Sequence, residues 1–305
     1  MPQKAVAKVI VNPVAGCGAS AKHWPHIKQQ LEKLGIKYDV VFTERVGHAI
    51  ELAREATKQH YRYIVAVGGD GTINEVVNGL LSVPDHQVAL GVVNTGTGSD
   101  FVRSLGIPRN PDRACHHLLS DKRIKVDVGV IEWGINGTSG KRYFVNAAGV
   151  GFDAEATETR RKLPKIFRGP VSYVVGVFKT LVAYRNKRIK IKLDETDERH
   201  KKVLSVIVAN GKYFGGGMKV APDAHLADQL FEVLTIGDIG KFELVQAFPR
   251  VYKGTHVTHP KVKVERASKV DLSSVERLLL QADGEIIGEG AFRFSLLPGA
   301  LSVIV

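Results

Sequence analysis

Cysteine is scarce in this sequence of 305 residues, where only Cys17 and Cys115 occur and no C-x-x-C spacing is found. Two cysteines so far apart provide neither a disulfide framework nor the ligand set of a cysteine-based zinc site. This scarcity is typical of proteins from a reducing compartment, and we expect a cytoplasmic protein.

Long apolar runs are absent as well. The longest such stretch, Val171 to Ala183, is interrupted by Lys179 and is shorter than the roughly 20 residues that span a bilayer. The first residues contain a single lysine before a short apolar run with strand character, which does not fit a signal peptide. The sequence therefore predicts a soluble protein.

Acidic residues are in deficit, with 31 Asp and Glu against 43 Lys and Arg and a formal net charge of +12. Between Arg160 and Lys192 there are eleven basic residues, no acidic ones and several apolar side chains. Cations that flank apolar residues suit an anionic membrane surface, although a core helix with solvated basic ends gives the same pattern. No helix-turn-helix, RRM or zinc-finger pattern is present, so we expect no nucleic-acid partner.

The pattern of apolar residues and turn signals changes near residue 125. Before it, β-branched runs alternate with segments of helical spacing, which indicates an α/β domain with a parallel sheet and helices on both faces. One of these helices is expected to begin at a Thr43 cap, with Val46 on its apolar face. After it, many short β-rich runs joined by Gly, Asn and Asp turns indicate a sandwich. The expected domains are residues 1–124 and 125–296.

The strongest functional signal is a glycine-rich turn that follows a buried apolar strand at 63–67. Gly68, Gly69 and Gly71 surround Asp70, and a helical segment follows at once. Glycines let the backbone approach phosphate oxygens, and a helix N-terminus attracts anions. A carboxylate here would repel phosphates unless it accepts a proton or holds a cation such as Mg²⁺; the alternative is a helix cap.

Two further glycine-containing loops follow neighbouring strands, at 94–100 and at 12–18. Because the carboxyl ends of parallel strands meet at one edge of a sheet, we expect the loops at 68–72 and 94–100 to form one cradle. None of the three loops continues into Lys-Ser/Thr, as a Walker motif does, and the loop at 68–72 also lacks the G-x-G-x-x-G pattern. The His-Arg-Asp set of protein kinases is absent from the sequence.

A set of motifs extends in order from residue 11 to residue 285. They are V-N-P at 11–13, G-G-D-G-T-I-N-E-V-V-N-G-L at 68–80, G-T-G-S-D-F at 96–101, D-V-G at 127–129, N-A-A-G-V-G-F-D at 146–153, A-N-G-K-Y-F-G-G-G-M at 209–218, A-P-D-A at 221–224 and A-D-G-E at 282–285. This ordered set resembles the diacylglycerol kinase and sphingosine kinase family, especially its soluble bacterial members. The motif at 68–80 alone is shared across a wider superfamily that includes NAD kinases and phosphofructokinases.

The resemblance implies an NAD kinase/diacylglycerol kinase-like fold with the active site in a cleft between the domains. It implies that residues 297–305 return to the first domain, for which Pro298-Gly299 is the expected turn. The residues implied to contact ATP are Asn12, Gly68, Gly69, Gly71, Thr72, Glu75, Thr95, Gly96, Thr97 and Asp100. Those implied to bind Mg²⁺ or another divalent cation are Asp127, Asp283 and Asp228.

The resemblance also implies catalytic roles for Glu285, Asp70 and Asp283. Glu285 is our first candidate for the general base and Asp70 the second. Three positions depart from the family pattern: Asn94 stands where Pro is common, Ser99 where Asn is common, and Gln229 where an Asp-Gly pair ends with glycine. The last departure brings the backbone around the Asp228 metal site into question.

The reaction implied is transfer of the γ-phosphate of ATP to a lipid hydroxyl, with diacylglycerol as the leading substrate and phosphatidic acid as its product. Sphingosine-like bases, ceramide, monoacylglycerol, phosphatidylglycerol and polyprenol are the alternative substrates. The enzyme would associate peripherally with an anionic membrane, and a homodimer through an exposed sheet edge is a further expectation. An NAD kinase and a non-catalytic basic membrane- or nucleic-acid-binding module are the two alternatives.

Overall fold

The computed structural model describes residues 6–59, 61–120, 122–135, 138–163 and 170–305. The strands are β1 (Ala7–Val11), β2 (Tyr38–Phe42), β3 (Tyr63–Gly68), β4 (Ala89–Asn94), β5 (Arg123–Ile135), β6 (Thr138–Phe144), β7 (Ala147–Gly151), β8 (Lys187–Leu193), β9 (Arg199–Val203), β10 (Ser205–Ala209), β11 (Phe231–Ile236), β12 (Val262–Ala267), β13 (Lys269–Ser273), β14 (Leu279–Ala282), β15 (Glu285–Glu289) and β16 (Ala291–Ile304). The α-helices are α1 (Ala19–Lys33), α2 (His48–Lys58), α3 (Asp70–Leu81), α4 (Asp100–Leu105), α5 (Pro111–His117), α6 (Phe152–Arg161), α7 (Pro170–Ala183), α8 (Lys241–Ala247) and α9 (Arg250–Lys253).

The chain divides into two compact units. Unit 1 comprises residues 1–126 and 299–305, and unit 2 comprises residues 127–298. The strand β16 begins in unit 2 and ends in unit 1, so its two parts are described with the unit to which each belongs.

Unit 1 is built on a parallel sheet with the strand order β2-β1-β3-β4, extended by Val303 of β16 beside Leu90 of β4. Every residue of β3 and β4 is buried, as expected for parallel strands covered on both faces. Helices α1 and α5 contribute Ile27 and Cys115 to the core on one face. Helices α2 and α3 pack closely at Gly79, where a Cβ atom would collide with the Ile50 carbonyl oxygen.

Unit 2 contains an antiparallel sheet with the order β12-β11-β10-β7-β14-β15. A second set of strands pairs the first part of β16 with β13, β13 with β8 and β8 with β9, and β5 pairs with β6. Phe144, Phe231 and Phe294 lie at the centre of its main core cluster. The first two of these rings are stacked with their centroids 5.7 Å apart. The predicted class, an α/β domain followed by a β-rich sandwich, is therefore confirmed.

Several predicted details are wrong. The second helix begins at His48 after Gly47, which adopts a left-handed conformation with a φ of 80°, so Thr43 does not cap it. Val46 lies outside that helix and is 88% exposed. Pro298-Gly299 is not a turn, because both residues lie within β16.

The basic segment singled out in the sequence has a mixed outcome. The part from Lys165 to Arg168 lies outside the described residues. Lys187 forms an ion pair with Glu155 at 3.0 Å and is largely buried. Among the residues that the structure describes, no helix is both long enough and apolar enough to cross a membrane.

Candidate functional site

Three loops meet at the carboxyl edge of the parallel sheet in unit 1. The Asn12 side chain after β1 donates from Nδ2 to Thr72 Oγ1 at 2.9 Å. The backbone N–H of Thr95 after β4 donates to the Gly68 carbonyl oxygen at 2.8 Å. The loops at 12–18, 68–72 and 94–100 therefore form one cradle, and the predicted adjacency of the last two is confirmed.

Glycine is required where the backbones of these loops touch. A Cβ atom on Gly96 would lie 2.5 Å from Gly69 Cα, closer than any side chain allows. A Cβ atom on Gly16 would collide with the Thr95 carbonyl oxygen, and the Ser20 and Thr95 hydroxyls share a hydrogen bond. Contact between backbones leaves the floor of the cradle without bulky side chains, as close binding of phosphate requires.

The N-terminus of α3 opens into this cradle. The helix begins at Asp70 after the N-cap residue Gly69. The backbone N–H groups of a first helical turn have no carbonyl partner within the helix, and the helix dipole places partial positive charge there. An anionic group in the cradle would therefore be stabilised by α3.

Asp70 links two of the loops. Its Oδ1 accepts the backbone N–H of Asp100 at 2.9 Å and that of Phe101 at 3.3 Å, at the start of α4. Burial raises the pKa of the Asp70 carboxyl above its ordinary value, and the N–H groups of Phe101, Asp100 and Ser99 oppose that rise. The sequence-based alternative, that Asp70 caps its own helix, is wrong because Gly69 holds that position.

Glu75 has a different place from the predicted contact with ATP. Its two carboxylate oxygens accept the backbone N–H groups of Gly47 at 2.9 Å and Ala49 at 3.1 Å. These N–H groups belong to the start of α2, so Glu75 caps that helix. We therefore assign Glu75 to the stability of unit 1 and remove it from the ATP ligands.

Two of the three departures from the family pattern touch each other. Asn94 donates from Nδ2 to Ser99 Oγ at 2.6 Å, and Ser99 adopts a left-handed conformation with a φ of 60°. Asparagine tolerates that conformation better than serine does, and the hydrogen bond from Asn94 holds the Ser99 side chain in place. Within the described part of the chain, Asn94 Oδ1 is buried and has no hydrogen-bond partner, which leaves an acceptor in the cradle.

In unit 2, Asp283 anchors a tight turn. Its carboxylate accepts three backbone N–H groups, from Val145 at 2.8 Å, Asn146 at 2.9 Å and Ala147 at 3.1 Å. Its backbone is left-handed with a φ of 47°, and Gly284 follows it. The predicted catalytic and metal-binding residue thus holds the turn from which Glu285 emerges.

Glu285 is paired with an arginine that sequence reasoning missed. Arg142 of β6 donates from Nη2 to Glu285 Oε2 at 2.9 Å, and the Glu285 side chain is 33% exposed. The ion pair holds the Glu285 carboxylate in place while part of the side chain stays exposed. No signal in the sequence identifies this partner, since the two residues are 143 positions apart.

A buried polar network lies behind the same turn. Asp153 accepts from Ser205 Oγ at 2.6 Å and from Gln281 Nε2 at 2.9 Å, while Gln281 Oε1 accepts the Gly284 N–H at 3.1 Å. Burial raises the pKa of Asp153, and its hydrogen bonds with Ser205 and Gln281 lower it. Asp153 belongs to the N-A-A-G-V-G-F-D motif, which was the available signal for its importance.

The third departure retains the backbone that a glycine would adopt. Gln229 is left-handed with a φ of 64°, and its N–H donates to Asp127 Oδ2 at 2.7 Å. The neighbouring Asp228 forms an ion pair with Arg266, which also lies 3.3 Å from Glu232. The guanidinium already neutralises the Asp228 carboxylate, so these side chains do not fit the structural cation that the resemblance implies.

Replacement of Gln229 by glycine should raise the free energy of unfolding by about 0.5 to 1 kcal/mol, because glycine adopts positive φ without steric cost. Urea unfolding of the two proteins would measure it. Asp228→Asn, at the neighbouring position whose φ is not positive, serves as the control for the ion pair alone. An unchanged or lower midpoint for Gln229→Gly would show that the left-handed conformation carries no strain.

Metal-binding side chains are otherwise not clustered. Across the described ranges, no group of three or more His, Cys, Asp or Glu residues lies close enough to hold a metal ion. Asp127, Asp283 and Asp228 each have protein partners instead. The metal-binding roles predicted for these three residues therefore stay predictions.

Comparison with known proteins covers both units. Residues 6–131 match the model of the diacylglycerol kinase catalytic domain, and residues 146–305 match the YegS C-terminal NAD kinase beta sandwich-like domain. A diacylglycerol kinase of Staphylococcus carnosus is 31% identical over 284 residues, which are 93% of this chain and 89% of the relative.

Solved structures show the same architecture. A candidate diacylglycerol kinase from Bacillus anthracis superposes with a TM-score of 0.78 at 25% identity, over 98% of this chain and 96% of that one. An NAD kinase from Archaeoglobus fulgidus in complex with ATP reaches a TM-score of 0.50 at 14% identity, over 98% and 93% of the two chains. The second likeness concerns the fold alone.

Proposed function

The chain belongs to the diacylglycerol kinase family and is a kinase, and from that premise we propose that it phosphorylates the free hydroxyl of diacylglycerol to give phosphatidic acid. The observation that carries the phosphate-binding half of this proposal is the cradle of unit 1. Three glycine-containing loops and the N-terminus of α3 converge there, and the backbones of Gly69 and Gly96 touch. Such a surface suits the phosphates of ATP.

Asn12, Thr72 and Thr95 are proposed to hold these phosphates. Asn12 and Thr72 already share a hydrogen bond, so their polar atoms are fixed relative to the glycines of the first loop. The Thr97 side chain lies exposed at the tip of the second loop and completes the set. Phosphoryl transfer depends mainly on positioning and on neutralisation of charge, which fixed backbone N–H groups supply without reorganisation.

The attacking hydroxyl must lose a proton during transfer. Glu285 is proposed to accept it, because Arg142 and the turn anchored by Asp283 hold its carboxylate in place while the side chain remains partly exposed. Asp70 is the second candidate, and its raised pKa brings it closer to the range of an effective base. Mg²⁺ is proposed to enter with ATP, bound mainly by phosphate oxygens, where it would neutralise their charge.

The test is incubation of the pure protein with Mg²⁺, ATP labelled in the γ-phosphate, and a detergent-dispersed panel of diacylglycerol, monoacylglycerol, ceramide, sphingosine and polyprenol, with NAD⁺ in a parallel reaction. Label in phosphatidic acid is the expected result. Label in another lipid would support a lipid kinase activity but would identify a substrate other than diacylglycerol. Label in NADP⁺, or none in any acceptor, would overturn the proposal.

ATP should protect Cys17 from alkylation. Cys17 is exposed between Gly16 and Gly18 in the third loop of the cradle, whereas Cys115 is buried and burial raises the pKa of its thiol to about 11. Iodoacetamide near neutral pH should therefore label Cys17 alone, and ATP should slow that labelling at least about tenfold by occupying the cradle. Mass spectrometry of both peptides gives the rates.

Cys115 is the internal control in that experiment, because its peptide should remain unlabelled with or without ATP. Diacylglycerol added alone should leave the labelling rate of Cys17 unchanged. Equal labelling of Cys17 in the presence and absence of saturating ATP would place the nucleotide away from the loop at 12–18.

A further inference from the structure

The helices α7, α8 and α9 of unit 2 present an unusual set of exposed apolar side chains. Phe178 and Val182 lie on α7, Phe242 and Val245 on α8 and Tyr252 on α9, and all five are exposed, Phe242 and Val182 to 76% each. We call these five side chains the α7–α9 face. Exposed apolar side chains grouped in this way mark interaction sites more often than single ones do.

The opposite sides of α7 and α8 pack against the core of unit 2, which fixes the orientation of both helices. Val177 and Leu181 of α7 and Leu244 of α8 pack in one core cluster. Phe242 and Val245 are three residues apart and share the outer side of α8, as Phe178 and Val182, four apart, do on α7. Lys241 at the start of α8 donates from Nζ to the Val182 carbonyl oxygen, which brings the two helices together.

Cations surround the α7–α9 face. Exposed basic residues on or beside the three helices are Lys179, Arg185, Lys241, Arg250 and Lys253. The acidic residues near them are already neutralised: Glu243 pairs with Lys261 at 2.6 Å, and Asp238 pairs with Lys202 at 3.0 Å. The face therefore combines apolar side chains with a surplus of positive charge.

We propose that the α7–α9 face docks on an anionic lipid bilayer, with Phe242 and Val182 inserted among the headgroups and the cations against anionic lipids. Such a surface is attracted by negative charge and stabilised by burial of its apolar side chains. A second copy of the chain is the less suitable occupant, because a two-fold interface would bring the same cations together. This inference rests on the proposed function in so far as a kinase acting on diacylglycerol must visit the membrane.

The test measures binding of the full chain to vesicles that contain no diacylglycerol, made of phosphatidylcholine alone or enriched in phosphatidylglycerol. Phe242→Ser and Arg250→Glu should each weaken binding to the anionic vesicles by about tenfold. Val275→Ser and Lys201→Glu are matched controls, since both residues are exposed on unit 2 and neither lies on the three helices, and they should bind as the unaltered protein does.

A second measurement does not depend on the loss of binding. Tryptophan in Phe242→Trp should be quenched by vesicles with brominated acyl chains, and tryptophan in Val275→Trp should not. The idea is overturned if neither Phe242→Ser nor Arg250→Glu changes vesicle binding, or if the Phe242→Trp signal is unquenched. It is also overturned if Phe242→Ser alters only the oligomeric state.

The outcome is distinguishable from that of the proposed function. If no lipid is phosphorylated but vesicle binding depends on Phe242 and Arg250, the docking face stands and the reaction is wrong. If diacylglycerol is phosphorylated, the Phe242→Ser enzyme should lose activity on vesicles about tenfold and keep it on dispersed short-chain diacylglycerol. Equal activity on both would remove the docking face.

Discussion

Replacement of Asp70 by asparagine should leave a folded protein whose kcat is lower by at least about a hundredfold. The asparagine Oδ1 can still accept the N–H groups of Asp100 and Phe101, which Asp70 accepts at 2.9 and 3.3 Å. The loops at 68–72 and 94–100 should therefore remain joined. What is lost is the negative charge and the proton-accepting oxygen beside the proposed phosphate site.

Glu75→Gln is the matched control for that experiment, because it neutralises another carboxylate on the same helix. Glu75 caps α2 through Gly47 and Ala49, so this variant should lose about 1 kcal/mol in the free energy of unfolding and retain most of its kcat. Thermal melting and γ-phosphate transfer would be measured on both variants. Near-normal turnover by Asp70→Asn would exclude Asp70 from the mechanism.

Replacement of Asp283 by alanine should lower the free energy of unfolding by about 3 kcal/mol or more. Three backbone N–H groups of residues 145–147 would lose their acceptor, and each unsatisfied buried donor costs about 1 kcal/mol or more. Activity should fall as well, because the same turn carries Glu285. Urea unfolding monitored by circular dichroism gives the stability, and transfer of labelled phosphate gives the activity.

Asp85→Ala separates the loss of these hydrogen bonds from the cost of alanine at positive φ. Asp85 has a φ of 54°, close to the 47° of Asp283, but its side chain is exposed. It should lose only about 1 kcal/mol. Asp283→Asn, which keeps one acceptor oxygen, should fall between the two. Equal midpoints for Asp283→Ala and Asp85→Ala would show that the carboxylate does not anchor the turn.

The cradle of unit 1 could be predicted from the sequence because a general rule places the ends of adjacent parallel strands together. The contact with ATP predicted for Glu75 rested on its position in the motif, which does not give the direction of its side chain. Five residues along an α-helix rotate a side chain by about 500°, so Glu75 points about 140° away from Asp70. The Glu75 side chain therefore faces α2, where its carboxylate accepts the backbone N–H groups of Gly47 and Ala49.

The contacts of Glu285 and Asp153 could not be predicted in the same way. Arg142 lies 143 residues from Glu285, and β6 and β15 pair locally with β5 and β14, so neither strand pairing indicates that these two side chains meet. Asp153 meets Gln281 across 128 residues through a hydrogen bond whose geometry no spacing rule encodes. The small and apolar residues beside Asp153 in the sequence indicate that it is buried. Its hydrogen-bond partners can be identified only from the fold.

The course of β16 determines when unit 1 can be completed during synthesis of the chain. Val303 pairs with Leu90 of β4, so the sheet of unit 1 is completed by a strand that leaves the ribosome after all of unit 2. Closing so large a loop has an entropic cost, and contacts this distant in sequence form late. Before that, the part of unit 1 that has already been synthesised has an open sheet edge at β4. The need for chaperones would be greatest during this interval.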